Sequence, residues 1–277
     1  MAQSSPTDEE LLEQARCGDT EATDTLLSRH ELRIYRYGLR MCGNEADARD
    51  VLQETLLAAF KGLSTFRGES QVSTWLFQIA RSFCIKQRRR RGGEPLRHES
   101  VDAPEVRKVV SEQSQTDSRS HAREVGSLIQ AAIRTLTPEY REALVLRDIE
   151  GMSAEEAAVV VGVEVGALKS RLHRARMALK LQLSAVLDDD AGVLACAELA
   201  KELADYANSD IDKEACVIIE EHLNRCVRCA DACDSLRRTV AMCRAIPGDD
   251  VPGPVKAAVR QALRLASAGL PTPAFIS

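Results

Sequence analysis

Residues 151–180 read GMSAEEAAVVVGVEVGALKSRLHRARMALK, and the fold turns on them. Met152-Ser153 leads into a short Ala-rich helix, Ala154 to Val161, which Gly162 breaks. Glu164-Val165-Gly166-Ala167 then leads into a second helix, Leu168 to Leu183. Two helices joined by a tight, glycine-containing turn make a helix-turn-helix. Ala157 and Ala158 are small enough to let the helices approach closely, and Val163, Leu168 and Leu172 can face inward. Lys169, Arg171, His173, Arg174 and Arg176 then project elsewhere. Such a basic second helix suits the DNA major groove, where Lys and Arg reach phosphates and guanine edges. A solvated face on a bundle helix is the plainer reading of the basic run alone; the short helix before it and Gly162 favour DNA.

Outward from this unit the pattern stays helical. Upstream, Thr137 is placed as an N-cap, Pro138 at the first helical position and Glu139 near the positive end of the dipole. Residues 122–187 therefore form one helical domain. Residues 92–121 are dominated by Gly, Pro, Ser, Gln, Asp and Glu without apolar periodicity, which predicts a flexible linker. Residues 8–91 form another helical domain. A helix starts at Asp8, a second carries Leu26, Leu27, Leu32, Ile34 and Tyr35, and a third runs from Asp47 to Leu63. After a loop at Phe66-Arg67-Gly68-Glu69-Ser70, Ser73 or Thr74 caps a fourth, which carries Trp75, Leu76, Ile79, Ala80, Phe83 and Ile85. The spacing of Trp75 with Leu76 and Ile79 places it in the core rather than against a base. Residues 191–246 form a cysteine-rich domain, and 247–277 a Pro-containing tail with one short helix, Val255 to Ala268.

Composition agrees. Aromatic residues make up only 4% of the 277 residues, so strand formers are scarce while good helix formers abound. There is no G-x-G-x-x-G, no phosphate-binding P-loop and no alternation of strands with helices. The fold expected is all-α. Polar, acidic residues 1–10 and the lack of a run of ~20 apolar residues predict a cytoplasmic protein with no membrane contact. Thiols stay reduced there. The net charge of −5 hides an uneven distribution. Residues 188–250 hold 15 acidic against 7 basic side chains, whereas 61–91 hold eight basic residues against one Glu. Such zoning suggests nucleic-acid contacts early in the chain and regulation late.

Six of the nine cysteines lie in residues 191–246, among them His222-x3-Cys226-x2-Cys229. On a helix, positions 222, 226, 229 and 233 share one stripe. One imidazole and two thiolates at this spacing can converge on a metal, with a residue from elsewhere closing the tetrahedron. Cys196 is the preferred fourth ligand, with Cys216 and Cys233 as alternatives. Zinc suits mixed nitrogen and sulfur ligation, and copper or cadmium would fit as a sensed metal. Scattered buried cysteines are the plainer reading, but six in so short a stretch argue against it. Cys17, Cys42 and Cys84 are expected in the core.

Two sets of motifs resemble extracytoplasmic-function sigma factors, the alternative promoter-recognition subunits of bacterial RNA polymerase. Leu136-x-Pro138, Arg141-Glu142, Gly151-Met152-Ser153, Glu156-Ala157-Ala158 and Lys169-Ser170-Arg171-Leu172-x-Arg174-Ala175-Arg176 match their −35-element domain. Gly166-Ala167 stands where the family usually has a Thr before the Lys. Asp47-Ala48-x-Asp50-Val51-Leu52-Gln53-Glu54-Thr55 resembles the polymerase-binding helix. The resemblance implies that Asp50, Gln53 and Glu54 dock on core RNA polymerase. Phe66 to Ser70, Thr74-Trp75-Leu76, Ile79-Ala80-Arg81 and Arg88 to Arg91 resemble the segment that reads the −10 element. Contacts to opened promoter DNA are thus expected from Lys61, Arg67, Ser70, Thr74, Arg81, Lys86, Arg88, Arg89, Arg90 and Arg91. Contacts to −35 DNA are expected from Lys169, Ser170, Arg171, His173, Arg174 and Arg176. Cys196, Tyr206, His222-Leu223-x-x-Cys226-x-x-Cys229 and Leu236-Arg237-Arg238 resemble a zinc-binding anti-sigma domain, in which Cys196, His222, Cys226 and Cys229 would be the ligands. Metal-responsive, CorE-like sigma factors with fused cysteine-rich tails are a further comparison.

The resulting reading is not an enzyme but an alternative sigma factor gated by its own metal- or redox-sensing tail, with a separate anti-sigma protein as a further candidate partner. A helix-turn-helix activator that does not replace a sigma factor would leave the residue 47–55 and 66–76 motifs unexplained. A thiol-disulfide enzyme using Cys226-x-x-Cys229 lacks its strand context.

Overall fold

The computed structural model describes residues 5–92, 118–187, 219–245, 250–268 and 270. Helices, and no strand, make up the described secondary structure. The chain divides into two compact units: Met1–His98 with Gly248–Ser277, and Glu99–Pro247. The expected linker at 92–121 and the tail-domain residues 191–218 lie almost wholly outside the described residues.

The first unit contains α1 (Asp8–Arg16), α2 (Thr20–Cys42), α3 (Glu45–Gly62), a 3-10 turn (Leu63–Thr65), α4 (Val72–Gly92) and a late helix, α10 (Gly253–Ser267). Side-chain caps fix where these helices start. Thr7 and Glu10 form a reciprocal capping box, Asp19 accepts from the Glu21 and Ala22 amides, and Asn44 accepts from the Asp47 amide. Gly43, at φ +82°, ends α2 in the left-handed conformation that glycine adopts without strain. Leu26, Leu27, Ile34, Tyr35 and Tyr37 of α2 are buried with Val51, Leu52 and Leu56 of α3 and Leu76, Phe77 and Ala80 of α4. Burying each of the large aliphatic side chains contributes ~1.5–3 kcal/mol before ordering costs. Gly38 marks a close approach of α2 and α3, since a Cβ there would sit 3.0 Å from Ala48 Cα. Helix α10 packs on α3, with Val259, Ala262 and Leu263 buried and Val251 buried just before it.

The second unit contains α5 (Ser118–Thr135), α6 (Pro138–Leu144), a π-helical turn (Val145–Ile149), α7 (Ala154–Val161), α8 (Val165–Leu187) and α9 (Val227–Ala245), with residues 219–223 also helical. Ser153 and Glu156 cap α7 reciprocally at 3.0 and 2.7 Å. Gly162, at φ +73°, makes the turn into α8. Ala157, Ala158, Leu168 and Leu172 are buried as the pattern predicts. Helix α9 packs on α5, on the π-helical turn and on α8.

Three local expectations need correction. Helix α4 begins at Val72, with the Trp75 amide bonded to the Gln71 carbonyl, so Ser73 and Thr74 are inside the helix rather than its cap. Thr137 is the N-cap of α6 and Pro138 its first residue, as expected, but the Thr137 hydroxyl makes no cap hydrogen bond. Cys17 is exposed at the end of α1, not in the core.

Candidate nucleic-acid interface and metal centre

In the second unit, α7 and the glycine turn hold α8 so that its N-terminal half is presented outward. Arg174 is exposed, and Lys169, Ser170, Arg171 and His173 are partly exposed. The Ser170 hydroxyl donates to the Gly166 carbonyl at 2.9 Å, and the Arg174 guanidinium donates to the Tyr140 hydroxyl at 3.5 Å. A cationic helix face held by a rigid turn can neutralise phosphates and reach base edges. Arg176 does not belong to this face. It is 1% exposed, and its guanidinium makes a two-pronged contact with the Asp148 carboxylate, Nε to Oδ2 at 2.8 Å and Nη2 to Oδ1. The expected DNA contact from Arg176 is therefore replaced by a buried tie between α8 and the π-helical turn. The helix turns every 3.6 residues, so Arg176 falls on the same inward stripe as Leu168, Leu172 and Leu179.

In the first unit, Lys61, Arg67, Lys86, Arg88, Arg89 and Arg90 are exposed, and Ser70 and Arg81 are partly so. Arg91 belongs to α4, but its side chain is outside those described. Thr74 is 1% exposed and cannot meet DNA as expected; it packs in the core at the start of α4. Trp75 is half-buried. It stacks on Phe66 with ring centroids 4.6 Å apart, over Gly62, where a Cβ would come within 3.0 Å of the indole. Its packing thus fixes the root of the loop that carries Arg67 and Ser70, with Gly68 at φ +76° supplying the bend.

Asp50, Gln53 and Glu54 share one face of α3 and line a cleft with Phe83, Lys86, Gln87 and Arg90 of α4. Glu54 is exposed, Asp50 partly buried and Gln53 buried, at 6% exposure. Gln53 therefore presents little surface to a docking partner in this conformation, whereas Glu54 is open. Burial pushes the Asp50 carboxyl above its usual value. The nearby Arg49 charge opposes this, Asp47 adds to it, and hydrogen bonds from Arg49 and Gln87 lower it. Gln87 donates to Asp50 Oδ2 at 3.4 Å. The sequence reading missed Phe83, Gln87 and their place on the cleft wall. Their spacing with Lys86 and Arg90, at i, i+3, i+4 and i+7, was the available signal.

His222, Cys226 and Cys229 do converge, their ligand atoms lying within 4.8 Å of one another. His222 Nε2 is 3.2 Å from Cys229 Sγ. Bonds of about 2.0–2.3 Å to a tetrahedral zinc ion imply ligand separations of roughly 3.3–3.8 Å, so this donor set fits such an ion with small adjustment. His222 and Cys226 are partly exposed and Cys229 is buried. Cys196 and Cys216 lie outside the described residues. Cys233 is buried one turn along α9 from Cys229 and is not part of the converging group. Burial pushes its thiol up, Arg237 opposing and Asp234 adding.

A helix-turn-helix with a cationic second helix, and a separate helical unit with a basic helix end, define a DNA-binding protein of two parts. The chain's relatives narrow that class. Residues 26–94 match the sigma-70 region 2 family and residues 127–179 the sigma-70 region 4 family. The chain is 31% identical over 185 residues to the RNA polymerase sigma-H factor of Pseudomonas aeruginosa, covering 65% of this chain and 95% of that one. It is 35% identical over 157 residues to the extracytoplasmic-function sigma factor SigE of Mycolicibacterium smegmatis, covering 57% of this chain and 60% of the relative. Among solved structures, CnrH in complex with the cytosolic domain of CnrY is similar, with 29% identity, a TM-score of 0.48, and 66% of this chain and 98% of that one covered. The chain belongs to the extracytoplasmic-function sigma factors of the sigma-70 family. It is an alternative sigma factor, which binds core RNA polymerase and promoter DNA. No helix among the described residues is long and apolar enough to cross a membrane.

Proposed function

We propose that this sigma factor is gated by its own C-terminal segment, with a zinc-type ion held by His222, Cys226 and Cys229 setting the grip. The observation that carries the reading is the convergence of these three donors at the N-terminal end of α9, the helix that packs on the DNA-reading unit. A metal bound there supplies a cross-link between residues 222 and 229, and so stabilises the start of α9 and its seat on α5 and α8. Cys196 is the fourth ligand in this reading, and copper or cadmium would compete for the thiolates. Loss of the ion, or oxidation of Cys226 and Cys229, loosens that seat.

Within the sigma units the reading assigns −35 contacts to Lys169, Ser170, Arg171, His173 and Arg174. The opened strand falls to Lys61, Arg67, Ser70, Arg81, Lys86, Arg88, Arg89, Arg90 and Arg91. Core polymerase docks on the open side of the α3–α4 cleft, with Glu54 leading and Asp50 behind it. The full or partial exposure of these side chains, Arg91 aside, supports the assignment.

Run-off transcription with core RNA polymerase tests the gate, comparing the full chain with one ending at Leu187, each with zinc or with a chelator. The shorter chain should initiate equally in both, and the full chain should change at least tenfold between them. Equal output from the full chain with zinc and with chelator, and from its Cys226→Ser/Cys229→Ser variant, would remove metal gating while leaving the sigma function standing.

A further inference from the structure

A second pair of thiols lies far along the sequence from the metal centre. Cys42 ends α2, Cys84 lies in the middle of α4, and their sulfur atoms are 3.7 Å apart. A disulfide requires about 2.05 Å, so the two must close by about 1.6 Å. The place where Cys42 sits allows this. It is the last residue of its helix, followed by Gly43 in the left-handed conformation, so the final turn moves without disturbing the helix body.

We infer that Cys42 and Cys84 are a redox site that closes to a reversible disulfide on exposure to a hydroperoxide. The inference is independent of the metal reading and concerns the other unit of the chain. Buried thiols as a rule behave as inert small hydrophobic groups. Three features set this pair apart. Cys42 is partly exposed while Cys84 is 2% exposed, so one sulfur meets the oxidant and the other waits behind it. Each is the other's hydrogen-bond neighbour, so the resolving thiol is already in place. The movement needed falls on the last turn of α2, beside Gly43, and asks nothing of the α4 backbone that holds Cys84.

The chemistry balances in two steps. The Cys42 thiolate attacks the terminal peroxide oxygen and breaks the O–O bond; the alcohol leaves with a proton and Cys42 becomes a sulfenic acid. The Cys84 thiolate then attacks the Cys42 sulfur, forming the S–S bond and displacing hydroxide, which leaves as water. Two thiols have lost two electrons and two protons, and the peroxide has become alcohol and water. A small dithiol reverses the bond by exchange. The cross-link closes a loop that contains all of α3 and the Phe66–Ser70 segment, and ties the end of α2 to the helix carrying Lys86 and Arg88. Closing so long a loop restricts the unfolded chain and stabilises the unit.

The test uses the full chain, freed of reductant, treated with hydrogen peroxide, alkylated and digested with trypsin. Cys42 falls in peptide 41–49 and Cys84 in peptide 82–86, while exposed Cys17 falls in 17–29. The expected product is 41–49 joined to 82–86, two hydrogens lighter than the separate peptides and released by dithiothreitol. Melting should shift up by several degrees on oxidation, reverse with dithiothreitol, and stay put in Cys42→Ser, a partly exposed position where the change is tolerated. Alkylated Cys42 and Cys84 at a peroxide dose that fully oxidises Cys17 would overturn the inference. So would Cys42 joined to any cysteine other than Cys84.

Discussion

Arg176 shows how one side chain changes role between pattern and packing. Its guanidinium and the Asp148 carboxylate are 2% and 1% exposed, and each satisfies the other. A buried pair is a weak source of net stability, but removing one partner strands the other's charge away from water. Arg176→Ala and Asp148→Ala should each cost ~3–5 kcal/mol in denaturant unfolding, and the double variant much less than their sum. Gly38 offers an opposite surprise. In a free helix Gly→Ala gains about 1 kcal/mol. Here the added methyl meets the α3 backbone at Ala48. Gly38→Ala should therefore lower stability by ~1–3 kcal/mol, because a backbone cannot step aside as a side-chain tip can; chemical denaturation would read the sign. A third case concerns protons. Asp8 holds Arg29 at 3.0 Å and His30 at 2.8 Å. Burial pushes the His30 imidazole below 6.5, against the raising pull of the Asp8 charge. Burial alone would raise the Asp8 carboxyl, but the Arg29 hydrogen bond and the His30 and Arg29 charges hold it below 3.8. Both groups bind fewer protons folded than unfolded, so both contribute stability that is lost on acidification. The His30 share is complete above 6.5 and fades below it, and the Asp8 share is complete above 3.8 and fades as pH falls further. Melting temperature should fall from pH 7 to 5 in the parent and less so in His30→Gln.

At the scale of elements, local chemistry and packing divide the work. Helix α7 is only eight residues long, too short to persist alone. Its start rests on the Ser153–Glu156 box. Ser153→Ala should cost ~1 kcal/mol and weaken promoter binding at the −35 element, as read by a gel shift with the isolated element in duplex DNA. Helix α10 is held differently, by the apolar stripe of Val259, Ala262 and Leu263 against α3. Burial raises the Glu31 carboxyl beside it, and the Arg260 and Lys256 charges of α10 oppose that rise. Leu263→Asp puts a charge into the stripe and should release α10, exposing residues 253–267 to trypsin at Lys256, Arg260 and Arg264 while α1 to α4 stay protected. Unchanged cleavage kinetics would mean that α10 owes its place to something other than this stripe. The sequence announced both helices, α10 within two residues of its observed start. It did not announce that α10 belongs with α3, because an amphipathic stripe states that a helix must dock and not where.

At the scale of the whole molecule, the residues after Leu187 contribute a described, packed helix to each unit. Helix α9 lies against the DNA-reading unit, and α10 lies in the other. That arrangement is why truncation at Leu187 is an informative comparison: it removes one packed helix from each unit. The principal packing within each unit, α2 with α3 and α4, and α6 with α8, lies outside these two helices.

The sequence by itself determined the all-α class, the helix-turn-helix, the two sigma regions and the spacing that lets His222, Cys226 and Cys229 meet. These follow from residues within a few turns of one another, where helical geometry leaves little freedom. Only the tertiary structure decided which basic side chain turns inward, as Arg176 does toward Asp148 28 residues away. Thr74 and Gln53 became buried for the same reason, and Cys17 exposed. Cys42 and Cys84, separated by 42 positions, meet only because α2 and α4 pack together. Burial is a property of the partner surface, and a partner surface is assembled from residues that local spacing cannot bring into view.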